Sequence, residues 1–193
     1  MTGERRITQR YDTVAILFHW TVAIMIVVNV CLAWTLGSVD RHSGAHDQIL
    51  TIHKSIGTTI FVLAVLRLAW RWWHPAPSLP GTIASWQRFA TLFVQGLLYA
   101  VLVIMPLSGL IDAAAFSQPV HFFYLFDLPT VIRHNEPLGH LAFGVHKTAA
   151  LALYAALFVH AAAALHHHYV LKDDILLGML PKLKNSRDDQ MIS

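Results

Sequence analysis

Four histidines in apolar stretches of the chain are the residues best suited to chemistry. His146 and His160 are 14 residues apart in an Ala-rich stretch. In a helix this step returns both imidazoles to within roughly 40° of one face and separates them by about 21 Å along the axis. A bilayer core is about 30 Å thick, so one histidine would lie near each side of a membrane. His19 and His53 are the candidates to complete a pair at each level.

Paired imidazoles suit one cofactor in particular. Two of them on facing helices can hold an iron porphyrin as axial ligands, and such a six-coordinate centre carries electrons without binding oxygen. Cys31 is the only cysteine, so the C-x-x-C-H attachment motif of c-type haem is absent. Any haem is therefore expected to be b-type. Transport of zinc, copper or protons through a histidine relay is the alternative, although a metal would need a third or fourth ligand at each level.

The elements that must position these histidines are membrane helices. Apolar residues make up 55% of the 193 residues and charged residues only 13%, whereas a soluble domain carries about 25% charged residues. The first apolar run is about 23 residues long, more than a signal-peptide core, so we expect it to be retained as a span. The sequence predicts an all-α integral membrane four-helix bundle that forms a single domain over residues 1–193, with spans at 14–36, 49–70, 89–111 and 138–165.

The distribution of cations indicates how the bundle is oriented. They are concentrated in or beside the N-terminal tail, the second connection and the C-terminal tail, as Arg5, Arg6, Arg10, Arg67, Arg71, Arg88, Lys172, Lys182, Lys184 and Arg187. The first and third connections, 37–48 and 116–137, contain few. By the positive-inside rule, both termini are expected to be cytoplasmic. The formal charge of +3 is explained by this topology and does not indicate nucleic-acid binding.

This orientation pairs the four histidines by depth. His19 is near the inner end of the first span, and His53 is near the outer start of the second. The fourth span places His146 outside and His160 inside, while the third span contributes no histidine. A lone intramembrane histidine can be an ordinary core residue, but ionisable residues in spans are rare and usually functional. The sequence therefore predicts two haem b groups, an inner one on His19 and His160 and an outer one on His53 and His146.

Three stretches of the sequence resemble a known family. They are RYDTVAILFHW, HKSIGTTIFVLAVLRLAWRW and GVHKTAALALYAALFVHAAAALHHHYVLKDDILLGMLP, and they are similar to the bacterial di-haem cytochrome b561 family from about residue 10 to residue 181. The resemblance implies a bundle in the bacterial inner membrane with the same two histidine pairs as ligands. It also implies electron transfer from an outer donor to ubiquinone, and in one family member the donor is superoxide, which becomes oxygen. Related cytochrome b subunits instead serve a partner dehydrogenase or hydrogenase, which is the alternative function.

Two lysines flank the expected outer haem. Lys54 directly follows His53, and Lys147 directly follows His146. A cationic entrance raises the local concentration of a small anion and speeds its arrival, so these lysines are candidates for steering superoxide. Binding of haem propionates by the same cations explains the sequence equally well.

His167 and Arg71 are candidates for contacts with a quinone or with haem propionates at the inner side. The resemblance associates the position of His167 with quinone binding, and an imidazole can donate a hydrogen bond to a quinone carbonyl and exchange a proton. His167 also belongs to a run of three histidines at the expected membrane interface. Such a run can be present without any function, and this alternative stays open.

Overall fold

The computed structural model describes residues 10–77 and 84–181. Within them, four long helices form the architecture: α1 (Thr13–Leu36), α2 (Gly44–Trp73), α3 (Ser85–Ala115) and α4 (Glu136–His166). Each is long and apolar enough to cross a membrane. The predicted four-helix fold is confirmed, but the helices extend past the predicted spans, because a helix can continue through polar residues outside the hydrocarbon layer.

Side-chain caps explain where three of the long helices begin. The capping residue lies in front of the first helical turn, and its oxygen accepts a backbone N–H that has no partner within the helix. The pairs are Asp12 with Ala15, Ser43 with His46 and Asn135 with Leu138. The early start of α2 is therefore set by Ser43, a signal that hydropathy alone does not reveal.

A short hairpin, which the sequence did not predict, covers one end of α2. Its strands are β1 (His121–Phe122) and β2 (Phe126–Asp127), in antiparallel pairing. The fully buried Ser55 accepts the backbone N–H of Phe123 at 2.9 Å, and its hydroxyl lies 3.0 Å from the carbonyl oxygen of His121. This end, with the α1–α2 and α3–α4 connections, is called the outer end, and the opposite end is called the inner end.

At the inner end the chain folds back under α1 after α4. A π-helical turn (His167–Leu171) extends α4, and a short helix, α5 (Ile175–Gly178), follows it. The indole Nε1 of Trp20 donates to the carbonyl oxygen of Met179 at 2.8 Å. The backbone N–H of Tyr11 donates to Gly178 at 3.3 Å. These bonds tie the segment after α4 to the start of α1.

The packing of the helices leaves a particular space between them. The buried core takes two residues from each long helix: Val22, Ile26, Ile60, Ala64, Val101, Leu102, Ala149 and Leu153. Over the described ranges, the backbone of α4 approaches α3 closely but does not approach α1 or α2. The space between α4 and the α1–α2 pair must therefore be bridged by side chains or by a bound group.

Candidate functional site

The structure brings together the two histidine pairs that the sequence predicts. The ring centres of His19 and His160 are 6.1 Å apart, with an interplanar angle of 62°. Those of His53 and His146 are 6.3 Å apart, with an angle of 77°. Each pair joins α4 to α1 or α2, which are the helices that α4 does not approach through its backbone.

The spacing of each pair fits an axially ligated metal. A metal–nitrogen bond is about 2 Å long, and an imidazole nitrogen is roughly 1 Å from its ring centre, so two rings on opposite sides of one ion would be about 6 Å apart. The observed values of 6.1 and 6.3 Å match this separation. The gap between α4 and the α1–α2 pair also suits a flat macrocycle. The residues present therefore fit b-type haem.

At the outer pair, backbone oxygens orient both rings. The Nδ1 of His146 donates to the carbonyl oxygen of Met105 at 2.8 Å, and the Nδ1 of His53 donates to that of Asn29 at 3.3 Å. Histidines that bind metals commonly donate their second ring nitrogen in this way, which leaves the first free for the metal. Both Nε2 atoms are therefore the available ligand atoms.

Helix α3 carries no histidine, but its residues Met105, Ser108 and Gly109 adjoin the His146 ring. The hydroxyl of Ser108 lies 3.5 Å from the His146 Nδ1 and donates to Met105 at 2.8 Å. A Cβ atom built on Gly109 would lie only 3.1 Å from that nitrogen and 3.2 Å from Cε1. This role of α3 was not predicted, because the third span contains no histidine that could serve as a ligand. The Ser-Gly pair after Pro106 was the signal that could have revealed it.

The inner pair has a cation beside it. Arg67 lies within Coulombic reach of His19 and His160, and its guanidinium carbon is 5.6 Å from the centre of the Tyr99 ring. Its position suits a haem propionate, a role that the sequence analysis did not consider for this residue. The Nδ1 of His19 is buried and has no hydrogen-bond partner among the described residues. Unpaired buried nitrogens are uncommon in proteins, so this ring is suited to a bound group.

The two outer lysines have different partners. The Nζ of half-buried Lys54 donates to Gln118 Oε1 at 3.1 Å, above the outer pair. Lys147 is exposed, and its Nζ is 5.7 Å from the centre of the Phe143 ring on its own helix. Asp112 of α3 lies within Coulombic reach of Lys54 and His146. This acidic residue was not predicted, and in its ionised form it would reduce the positive field near the outer pair.

The structure places His167 and Arg71 in different surroundings. The Nδ1 of His167 donates to Asp173 Oδ2 at 2.5 Å in the turn after α4. Arg71 donates to Gln95 Oε1 at 3.3 Å and lines a groove between α2 and α3 with Arg88. Within residues 10–77 and 84–181, no hydrogen bond or ion pair joins Arg71 to His167. The carboxylate partner of His167 was missed because it lies beyond the predicted span.

A sequence profile described as prokaryotic cytochrome b561 matches residues 10–182. The chain belongs to this family. It is accordingly a multi-pass protein of the bacterial inner membrane that transfers electrons across the membrane and binds b-type haem. The geometry of the histidine pairs therefore fits the cofactor of the family to which the chain belongs.

Curated relatives match over most of their length. "Cytochrome b561 homolog 2" of Escherichia coli K12 is 28% identical over 174 residues, which is 90% of this chain and 93% of the relative. "Cytochrome b561 homolog 1" of the same organism is 27% identical, over 91% and 99% of the two chains. "Probable superoxide oxidase CybB" of Yersinia pestis is 26% identical, over 90% and 97%.

Proposed function

We propose that this cytochrome holds two haem b groups and transfers electrons from an outer donor to ubiquinone at the inner end. His19 and His160 are the proposed ligands of the inner group, and His53 and His146 those of the outer group. The observation that supports this is the pair of ring separations, 6.1 and 6.3 Å, across gaps that the helix backbones leave open. When bound, haem supplies a reversible one-electron centre at each level.

The proposed orientation has both termini in the cytoplasm, with the chain forming one domain. An even number of membrane crossings would bring the start of α1 and the segment after α4 to the same side of the membrane, and four helices are long and apolar enough to cross it. The cations that support a cytoplasmic inner end include Arg10, Arg71, Arg88 and Lys172. Five others that entered the prediction lie outside the described residues: Arg5, Arg6, Lys182, Lys184 and Arg187. The outer end would then face the periplasm, where an electron donor must arrive.

Superoxide is the proposed donor, and the reaction balances without another reactant. Two superoxide ions release two electrons and become two oxygen molecules, while one ubiquinone takes up the two electrons and two protons and becomes ubiquinol. Lys54 and Lys147 supply positive charge at the outer end, which favours the approach of a small anion. The relative named as a probable superoxide oxidase supports this choice of donor. A partner dehydrogenase or hydrogenase would be the donor if the isolated chain fails to react with superoxide.

The catalytic test measures superoxide-dependent reduction of ubiquinone-1 by the purified, haem-loaded protein. We expect ubiquinol to form in proportion to superoxide supplied and oxygen to be returned. The His146→Ala variant should lose this reaction, whereas the matched variant His166→Ala, which replaces an exposed histidine of the same helix, should keep it. Ubiquinone reduction no faster than in protein-free controls would reject superoxide as the donor.

The ligand assignment has its own test, which does not depend on the donor. Single alanine replacements at His19, His53, His146 and His160 should each lower the haem content, from two groups per chain towards one. Pyridine haemochrome analysis measures this content directly. Full haem content in any single variant would remove that histidine from the ligand set.

A further inference from the structure

The turn that follows α4 is closed tightly around His167. The π-helical turn ends at Lys172, which adopts a left-handed backbone conformation with φ of 54°. The backbone N–H of Lys172 donates to the carbonyl oxygen of His167, and that of Asp173 lies 3.2 Å from the same oxygen. This closure returns Asp173 to the side of a residue six positions earlier in the chain.

The carboxylate of Asp173 is held at both oxygens. Oδ2 accepts from the Nδ1 of His167 at 2.5 Å, and Oδ1 accepts from the backbone N–H of Ile175 at 3.2 Å. The His167 side chain is 12% exposed and that of Asp173 is 26% exposed. Because Nδ1 is hydrogen-bonded to the Asp173 carboxylate, Nε2 is the ring nitrogen that can contact a ligand. It has no hydrogen-bond partner among the described residues.

The neighbouring residues show that the contact is specific to His167 and Asp173. His167 is the middle one of three consecutive histidines, and only it is paired with a carboxylate within the described residues. His166 is exposed, with its ring centre 6.2 Å from that of His167. Asp174, the next acid in the chain, makes no side-chain bond at the start of α5. An interfacial histidine run without function would not need this contact between one of its members and a carboxylate.

We propose that Asp173 positions His167 as the proton donor to the quinone that the protein reduces, an inference that rests on the proposed function. The carboxylate holds the Nδ1 proton and stabilises the imidazolium, as the aspartate does in a Ser-His-Asp triad. The Nε2–H then points towards a quinone carbonyl oxygen. As the quinone is reduced, this N–H bond breaks and an O–H bond forms. His167 is left neutral, with its proton on Nδ1 and still hydrogen-bonded to the Asp173 carboxylate.

Two protons are needed for each ubiquinone that takes up two electrons, so His167 must be reprotonated from water between transfers. The partial exposure of the pair gives water access to it. The other titratable groups next to the pair in the chain are His166 in α4, His168 and Tyr169 in the π-helical turn, and Lys172 and Asp174 beside Asp173. Helix α5 packs against the turn and has the sequence ILLG, which carries no titratable side chain. Asp173 is therefore the one carboxylate in direct contact with His167 within the described residues.

The test compares Asp173→Asn with the matched control Asp174→Asn, which removes the same charge one residue away. In Asp173→Asn, kcat for ubiquinone-1 reduction should fall roughly tenfold to a hundredfold. The loss stays at or below the about 10²–10⁴-fold that general acid catalysis contributes, because His167 itself is still present. KM should stay within about twofold, because the substitution removes a transition-state interaction. The solvent deuterium isotope effect on haem reoxidation should rise, because proton delivery becomes limiting, while haem reduction from the outer side stays unchanged. Asp174→Asn should match the wild type throughout.

The possible outcomes separate this inference from the proposed function. If His167→Gln abolishes quinone reduction but Asp173→Asn leaves kcat and the isotope effect unchanged, the positioning role of Asp173 is wrong and the quinone site stands. If His167→Gln itself has no effect, the placing of quinone reduction at His167 is wrong. Should Asp173→Asn fail to retain haem, Asp173→Ser replaces it. Serine can still accept the Ile175 N–H, and the same loss of kcat with a raised isotope effect is required of it.

Discussion

The Nδ1 nitrogen of His146 lies 2.8 Å from the main-chain oxygen of Met105, so a helix without a histidine orients one of the proposed haem ligands. Ser108 and Gly109 lie about one turn further along α3. The Ser108 hydroxyl is 3.5 Å from the same nitrogen, and the absence of a side chain at Gly109 leaves room for the ring. The position of the ring is therefore set by two helices together.

Replacing Gly109 by alanine should weaken the outer haem site. The added methyl would lie 3.1 to 3.2 Å from two atoms of the His146 ring, which is fixed by Met105 and cannot easily move away. We expect the haem content of the purified protein to fall towards one per chain. Gly96→Ala is the matched control on the same helix, since a Cβ there meets no atom within 4 Å. Equal haem content in both variants would show that the His146 ring does not need the space at Gly109.

Replacing Ser55 by alanine should loosen the hairpin from α2. The backbone N–H of Phe123 and the carbonyl of His121 would each lose the Ser55 hydroxyl, and one such bond is worth about 1 kcal/mol. We expect faster hydrogen exchange over residues 121–127, with unchanged exchange in the middle of α2. Thr58→Ala, which removes a hydroxyl bonded only within its own helix, is the control. The same exchange rates in both variants would rule out Ser55 as the tether.

Replacing Lys54 by glutamine should slow the reaction with superoxide. A nearby cation speeds the arrival of an anion, and this effect falls with ionic strength. We expect the second-order rate constant at low salt to fall several-fold and to vary less with salt than in the wild type. Arg88→Gln removes an equal charge at the inner end and serves as the control. If both variants lose rate equally, the effect comes from net charge and not from a local entrance.

Replacing Lys147 by glutamine should slow the reaction with superoxide less than replacing Lys54 does. It is exposed and lies over Phe143, whereas Lys54 is half-buried above the outer histidines. The loss of rate in Lys147→Gln should therefore be smaller than in Lys54→Gln. Stopped-flow measurement of haem reduction would give both values, and a larger loss at Lys147 would reverse the proposed order.

Asp12 should make stability depend on pH at the start of α1. Burial tends to raise the pKa of this carboxyl, but hydrogen bonds from the Ala15 N–H and the Trp70 indole outweigh it, so the net pKa lies below its usual value. A lowered folded-state pKa means that the carboxylate stabilises the protein above its unfolded pKa of about 4. This contribution is lost as the pH falls through the lower, folded value.

The Asp12→Asn variant isolates this effect because asparagine caps a helix about as well as aspartate does. The difference in thermal midpoint between wild type and Asp12→Asn should shrink as the pH falls from 6 to about 3. Asp12→Ala removes the cap itself and should cost about 1 kcal/mol at neutral pH. A pH-independent difference between wild type and Asp12→Asn would show that the charge contributes nothing.

The sequence was sufficient to predict the fold and the histidine pairs because both depend on long-range regularities. Apolar length sets the four spans, and a 14-residue step in a helix sets the relative faces of His146 and His160. Combined with chain direction, these two rules bring His19 to His160 and His53 to His146, and the ring separations agree with that pairing.

The parts that the sequence did not predict depend on local contacts between distant segments. Nothing in the sequence around Ser55 indicates a partner far along the chain, yet it anchors a hairpin about 66 residues later. Asp173 lies beyond the predicted fourth span, and the left-handed turn at Lys172 brings it back to His167. Hydropathy and helical periodicity carry no information on such contacts, because each depends on a few specific hydrogen bonds.

One rigid helix, α4, carries one ring from each pair, and this makes its 14-residue interval a ruler for the electron path. Inserting a single residue into that interval would turn one ring by about 100° away from its partner, whereas inserting seven would return it to within about 20° and lengthen the path by about 10 Å. The spacing between the two redox levels can therefore be changed by engineering only through insertions, such as seven residues, that return the ring close to its original face. Insertions that arise in evolution are under the same restriction.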